Sequence, residues 1–245
     1  MIKSNLMILI FLISIQTNAQ KLIHNNNIWF HIVEKAKIKG KTYMTLEGSL
    51  RLANGFEQMQ QIFIRPSIDY KFTKSFTGSI GYTYYNTYSY GIIPMNKTSI
   101  PEHHLFIQGQ YTHKFKDWTI SHRLRDENRL VGMAIQDSTK AFFIDYFEYR
   151  NRVRYMLSFT YPLLKKNNKP IVNAILADEV FLNIGSFSGE SLLNQNRIIA
   201  GLSYIFNPST QLQFSYVHQE LRNKSNTLEE INPTLRISFL HNLNF

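Results

Sequence analysis

Arginine and glutamate recur at every second position in two stretches of this chain. Arg123, Arg125, Glu127 and Arg129 share one parity, and Glu148, Arg150, Arg152 and Arg154 repeat the arrangement. Successive side chains of an extended strand point to opposite faces, so each set lines a single face. A guanidinium can fork onto a carboxylate through two parallel hydrogen bonds, and it keeps its charge when partly buried. Glu47, Arg51, Arg65, Asp69, Glu179, Arg197 and Arg236 extend the inward-facing set to other segments. If neighbouring strands pair as hairpins, these residues stack as ladders across a wall. Two roles are open. A satisfied charge network fills a narrow polar lumen and rigidifies it. An arginine-lined constriction instead selects or binds small anionic solutes, which the excess of Arg over Glu and Asp favours.

Other chemistry is thinly represented. His103, His113, His122, His218 and His241 fall on the opposite, outward register with aromatic neighbours. A hydrolytic pair would need a serine within hydrogen-bond reach of one of them, with a third group orienting the ring. No G-x-S-x-G elbow, no H-E-x-x-H run and no obvious outward serine partner occurs. The expectation is therefore no enzyme, with a lipid hydrolase as the remote alternative. His103 and His104 are adjacent, so on a strand they point apart and cannot readily chelate one ion. Glu229 and Glu230 form no more than an exposed acidic pair. There is no cysteine, which removes disulfides, thiolate ligands and a lipidated N-terminal cysteine. Neither metal nor cofactor is expected.

The elements that must position the charges are strands. Leu212, Phe214 and Tyr216 alternate with Gln211, Gln213 and Ser215, and comparable alternation marks 61–72, 76–88, 102–115, 195–206 and the last twelve residues. Weaker alternation marks 43–53, 118–130, 145–162 and 171–182, and 28–38 supplies a first segment. A soluble sandwich also alternates. These segments are longer than the five or six residues usual in globular sheets, and their apolar faces end in Tyr and Phe as interfacial girdles do. Short connections at Thr73–Ser75, Lys116–Asp117, Lys165–Lys169 and Asn207–Thr210 alternate with long ones at Gly91–Pro101, Val131–Phe143, Ile184–Leu193 and Asn223–Glu230. The fold expected is an all-β, antiparallel transmembrane barrel. The segments come to about eleven, and the even-number habit of bacterial barrels points to twelve strands, with ten as the alternative.

The N-terminus reads Met1, Ile2 and Lys3, then an apolar run from Leu6 to Ile15 and small residues at Thr17 and Ala19. That is an export signal, too short to span a bilayer as a helix. Cleavage is expected after Ala19, leaving 20–245 as one barrel domain. The formal net charge of +10 suits anionic lipid head groups or an acidic solute. An exported chain has little call for nucleic acid. Outer-membrane lipid and lipopolysaccharide are the expected surroundings, and composition says nothing of oligomeric state.

The last strand resembles the C-terminal signal of outer-membrane barrels: Phe245 is terminal, with Leu243, Phe239 and Ile237 at alternate positions before it, and His241 departs mildly. The resemblance implies recognition by the barrel assembly machinery. A second resemblance spans nearly all of the mature chain. Trp29, Arg51 closing LEGSLR at 46–51, SHRLRDENR at 121–129, YRNRVRYML at 149–157, DEVFLN at 178–183, NQNRIIAGLSY at 194–204 and YVHQ at 216–219 look like the uncharacterised barrel family labelled domain of unknown function 2490. It implies a barrel in the outer membrane and names no reaction.

Overall fold

The structure is a computed structural model that describes residues 21–185 and 188–243. The export signal expected over 1–19, its cleavage after Ala19, and Phe245 lie outside the described residues.

Among the described residues twelve strand segments follow one another: β1 (Lys21–His24), β2 (Asn27–Lys39), β3 (Thr42–Ala53), β4 (Gln58–Lys71), β5 (Phe76–Thr87), β6 (Ile100–Phe115), β7 (Trp118–Gln136), β8 (Phe142–Lys166), β9 (Lys169–Ile184), β10 (Leu193–Asn207), β11 (Thr210–Arg222) and β12 (Leu228–Leu243). Each of β2 to β11 pairs antiparallel with the next. The sheet closes where β12 meets β2, from Thr234↔Asn27 to Leu243↔Ala36, and this pairing is parallel. Parity requires it, because in an up-and-down meander of eleven staves the first and last run the same way. Strand β1 lies beside β12 in the same register, from Lys21↔Leu228 to His24↔Ile231, and prolongs the track of β2 across an interruption at Asn25 and Asn26. Twelve segments thus give eleven staves in the closed wall. Closure leaves no unpaired edge through the β12–β2 seam, which is what lets strands cross a bilayer.

Five connections at one mouth are tight. Asn167 and Asn168, between β8 and β9, both have positive φ (52° and 60°), as a two-residue turn matched to strand twist requires and as Asn tolerates. The other mouth carries the longer connections, of which residues 88–99 and 185–192 are the largest. One expected long loop is shorter than the sequence indicates. Residues 131–136 and 142–144 continue β7 and β8 as a projecting hairpin, with a bulge at Met133/Ala134. Its tip is held by Asp137, whose Oδ1 accepts from Thr139 N (2.8 Å), Thr139 Oγ1 (2.7 Å) and Ala141 N (2.9 Å). These hydrogen bonds hold the Asp137 carboxyl below its usual range.

Outward positions are apolar and exposed, as Ile80 (63%), Leu105 (65%) and Leu124 (55%) show, whereas their neighbours Arg125 and Glu127 are buried. The outward face is not wholly apolar: Asp126 accepts from Asn151 (2.8 Å) and Asn128 (3.0 Å), and Asp178 from Asn196 (2.7 Å). Pairing these carboxylates with amide donors lowers the cost of holding them there. Inside, Trp29 reaches from β2 and packs with Ala177, Ile199 and Val217 of β9, β10 and β11, with Met156 against the cluster. The interior is therefore a packed core around one Trp, not an empty cylinder.

Candidate functional site

Hairpin pairing brings the charges of β7, β8 and β9 together. Glu127 lies opposite Arg152, and its Oε2 accepts from both Arg152 Nε (2.8 Å) and Nη2 (2.6 Å), charge-assisted bonds converging on one oxygen. Arg154 bridges onward: its Nη1 donates to Glu127 (2.7 Å) and its Nη2 to Glu179 (2.7 Å). Glu179 also accepts from Arg123 Nη2 (2.5 Å). The result is a continuous chain, Arg152–Glu127–Arg154–Glu179–Arg123, buried except at the partly exposed Arg123. Such a chain is cohesive only while complete, since a carboxylate removed leaves a desolvated cation.

Smaller groups surround it. Arg65 donates to Glu47 (2.7 Å), opposite it across β3 and β4, and to Thr83 (2.9 Å) and the Tyr85 hydroxyl. Arg129 Nη2 donates to Glu102 (2.6 Å), which also meets His104 Nε2 (2.9 Å). Toward the long-loop mouth, Glu148 accepts from Arg150 (2.7 Å) and Lys224 (2.6 Å). Asp69 stands apart from the arginines and accepts from Thr45 (2.6 Å) and Lys35 (2.9 Å). At the long-loop end the phenol of Tyr90, outside the strands, donates to Glu230 (2.7 Å). Burial, reinforced by that carboxylate, pushes Tyr90 well above the usual phenol range, so it stays a donor.

The remaining arginines are short of carboxylate. Arg51 donates to the Gln61 amide oxygen (2.6 Å), and its Nε is buried without a partner. Arg197 lies 3.8 Å from Glu179, too far for a hydrogen bond, and the Gln195 amide, oriented with its oxygen inward, accepts from its Nη2 at 2.9 Å. Arg236 has no ion pair among the described residues, and its Nε and the neighbouring Ser238 Oγ are both buried and unpartnered. Aromatic faces take the place of anions. Arg51 sits 4.1 Å and Arg197 5.1 Å from the Trp29 ring, and Trp29 is fixed by its Nε1 donating to Gln60 (2.7 Å). Arg125 lies 4.4 Å from the Phe106 ring and donates through Nε and Nη2 to Gln108 (2.8 and 2.6 Å), while its Nη1, without a hydrogen bond, lies 3.8 Å from Glu127. A ring face attracts a cation but does not neutralise it.

Two internal cavities, of about 150 and 290 Å³, share Trp29, Arg51, Tyr85, Arg154 and Arg197 in their walls. The smaller extends toward the long-loop mouth past Tyr90 and Asn96. The larger extends toward the tight-turn mouth past Arg236, Ser238 and Gln213. Nearly every charge read from the sequence therefore faces the lumen, but they divide into a neutralised wall and an under-neutralised one. Trp29, Tyr85, Phe181, Glu102 and His104 complete the site. Their inward parity is readable in the sequence, and what hides them is that aromatics on an inward register look like misplaced core.

The outward histidines have partners of their own. His103 meets the Tyr82 hydroxyl (2.5 Å), His122 that of Tyr155 (2.8 Å) and His241 the Glu34 carboxylate (2.8 Å), while His113 stacks on His122 at 6.0 Å between ring centroids. His218 lies 3.5 Å from Glu220. Among the described residues no group of three or more His, Asp or Glu is placed to hold a metal ion.

A family model described as a protein of unknown function (DUF2490) matches residues 26–230. A solved structure of the NanC porin in a rhombohedral crystal form aligns with a TM-score of 0.44 at 10% identity, covering 84% of this chain and 93% of that one. No curated protein matches the sequence.

Proposed function

We propose that this chain, which belongs to the family of unknown function DUF2490, is an outer-membrane barrel that binds small anionic solutes in its lumen. The observation that carries this reading is the group of Arg51, Arg197 and Arg236 around Trp29, with buried donors left unpartnered beside a cavity of about 290 Å³. Unmet guanidinium donors in a water-poor wall are costly unless an acceptor arrives, and a carboxylate or phosphate oxygen is the acceptor they fit. The saturated wall opposite holds the barrel's shape while the unsaturated wall holds the solute. In this account residues 1–19 direct export, 20–245 form the barrel, and the terminal run with Phe239, Leu243 and Phe245 addresses the chain to the barrel assembly machinery.

Trp29 supplies the assay. In the full chain with Trp118→Phe, Trp29 is the only tryptophan. Titration of the folded protein with small carboxylates and inorganic phosphate is expected to give a saturable fluorescence change that choline does not give. Arg236→Met is expected to weaken it about ten-fold or more, the loss of one charge-assisted contact. A folded protein whose Trp29 does not respond to any of these anions overturns the reading.

A second reading rests on the chain Arg152–Glu127–Arg154–Glu179–Arg123, which fills the lumen between β7, β8 and β9 and would also suit a barrel with a purely structural or surface-interaction role. Arg125→Ala and Arg152→Ala separate the two. Loss of heat-modifiable folding marks a structural ladder, and altered anion response with folding intact marks a solute site.

A further inference from the structure

The two kinds of cation in this chain are sorted by place. The arginines line the interior, whereas the tight-turn mouth carries ten exposed lysines, at 37, 39, 41, 71, 74, 114, 116, 165, 166 and 169. Among the described residues the exposed carboxylate at that level is Asp117, paired with Lys165 (2.6 Å). The long-loop mouth shows no such excess: exposed Lys21, Lys97, Lys140 and Lys224 face exposed Glu57, Asp137, Asp145 and Glu190. The barrel is thus polarised along its axis.

The lysines are interleaved with girdle aromatics, which sets their depth. Lys116 Nζ lies 5.7 Å from the Phe115 ring, and Lys41 Nζ reaches the Phe72 carbonyl (3.4 Å). Outward Tyr70, Phe72, Phe115 and Trp118 stand at the same level, each at least 43% exposed. Aromatics of this kind sit at the head-group level of a bilayer, and lysine stems run along apolar surface while the ammonium reaches the polar layer. The exposed ammonium groups around this rim, with one exposed carboxylate among them, match a sheet of phosphate monoanions.

We infer that the tight-turn mouth is a docking collar for anionic glycerophospholipid, whose head-group phosphates it gathers from the leaflet at that end. The collar binds lipid around the rim, independently of any solute in the lumen. It orients the barrel and enriches its boundary layer in anionic lipid.

Trp118 stands within this collar, and Trp29 is shielded inside the lumen. The full chain is folded into phosphatidylcholine vesicles containing brominated phosphatidylglycerol or, in parallel, brominated phosphatidylcholine. The quenching that disappears in Trp118→Phe is assigned to Trp118. Polybasic surfaces gain affinity for anionic lipid with each added lysine, so a preference for phosphatidylglycerol of about three-fold or more is expected at low salt, falling toward unity near 1 M salt. Lys39→Gln, Lys41→Gln and Lys116→Gln together are expected to lower the preference, whereas Lys21→Gln, Lys97→Gln and Lys140→Gln together leave it unchanged. Equal quenching by the two lipids at low salt overturns the proposal. So does a preference that salt does not weaken, or displacement of phosphatidylglycerol from Trp118 by lipid A.

Discussion

Glu127 is the residue whose loss should cost most. Its side chain is 1% exposed, and it accepts three hydrogen bonds, two from Arg152 (2.8 and 2.6 Å) and one from Arg154 (2.7 Å). Glu127→Ala would leave Arg154 with Glu179 but strip Arg152 of its carboxylate, leaving only Asn194 Oδ1 at 3.3 Å. Removing one partner of a buried pair costs about 3–5 kcal/mol, because the stranded charge stays desolvated. At a urea slope of about 2.5 kcal/mol per M, the unfolding midpoint of vesicle-folded protein should fall by about 1–2 M. Tryptophan fluorescence against urea reads that shift directly. Adding Arg152→Met, which removes the stranded cation, should restore a substantial part of the loss, as expected for a coupled pair. A midpoint shift below about 0.3 M for Glu127→Ala, or a double variant no better than the single, would refute the claim that this chain of charges is a cohesive unit.

The wall itself makes further predictions. A Cβ on Gly81 would lie 2.5 Å from the Phe106 ring and 2.7 Å from the Pro66 carbonyl oxygen, so Gly81→Ala should cost about 1–3 kcal/mol in the same urea assay. Ile80 faces outward with 63% exposure, and Ile80→Arg should cost about 2–4 kcal/mol if that position meets hydrocarbon, whereas Phe206→Arg near the tight-turn rim should cost about 1 kcal/mol or less. Tyr90→Phe removes the one hydroxyl donor to Glu230 (2.7 Å). It should cost about 1–3 kcal/mol, read as a lower urea midpoint, through the acceptor left without it.

Much of this architecture can be read in the sequence because period-two alternation is a strong signal when it persists for a dozen residues. Leu212, Phe214 and Tyr216 do face outward, and the parity that puts Arg123, Arg125, Glu127 and Arg129 on one face is the parity the structure keeps. Cross-strand pairing is less legible, because it depends on register. Glu127 faces Arg152 and Glu47 faces Arg65 directly, but Arg154 reaches Glu179 diagonally past Phe181, its register partner. The eleven segments counted from alternation are the staves of the closed wall. An even number suits a meander whose two ends close antiparallel, and here β12 closes against β2 in parallel, with β1 as the twelfth segment prolonging β2. What alternation cannot show is which arginines find carboxylates. Arg51 and Arg152 look alike in the chain, yet one meets Gln61 and Trp29 and the other meets Glu127.

That difference between the two walls is the centre of the account, and bromide tests it most directly. In crystals of the folded protein soaked in bromide, the anomalous difference map should show an ion within hydrogen-bond reach of Arg51 Nε or Arg236 Nε, on the Trp29 side of the lumen. A map with bromide only at the exposed lysines, and none beside those guanidinium groups, would contradict it.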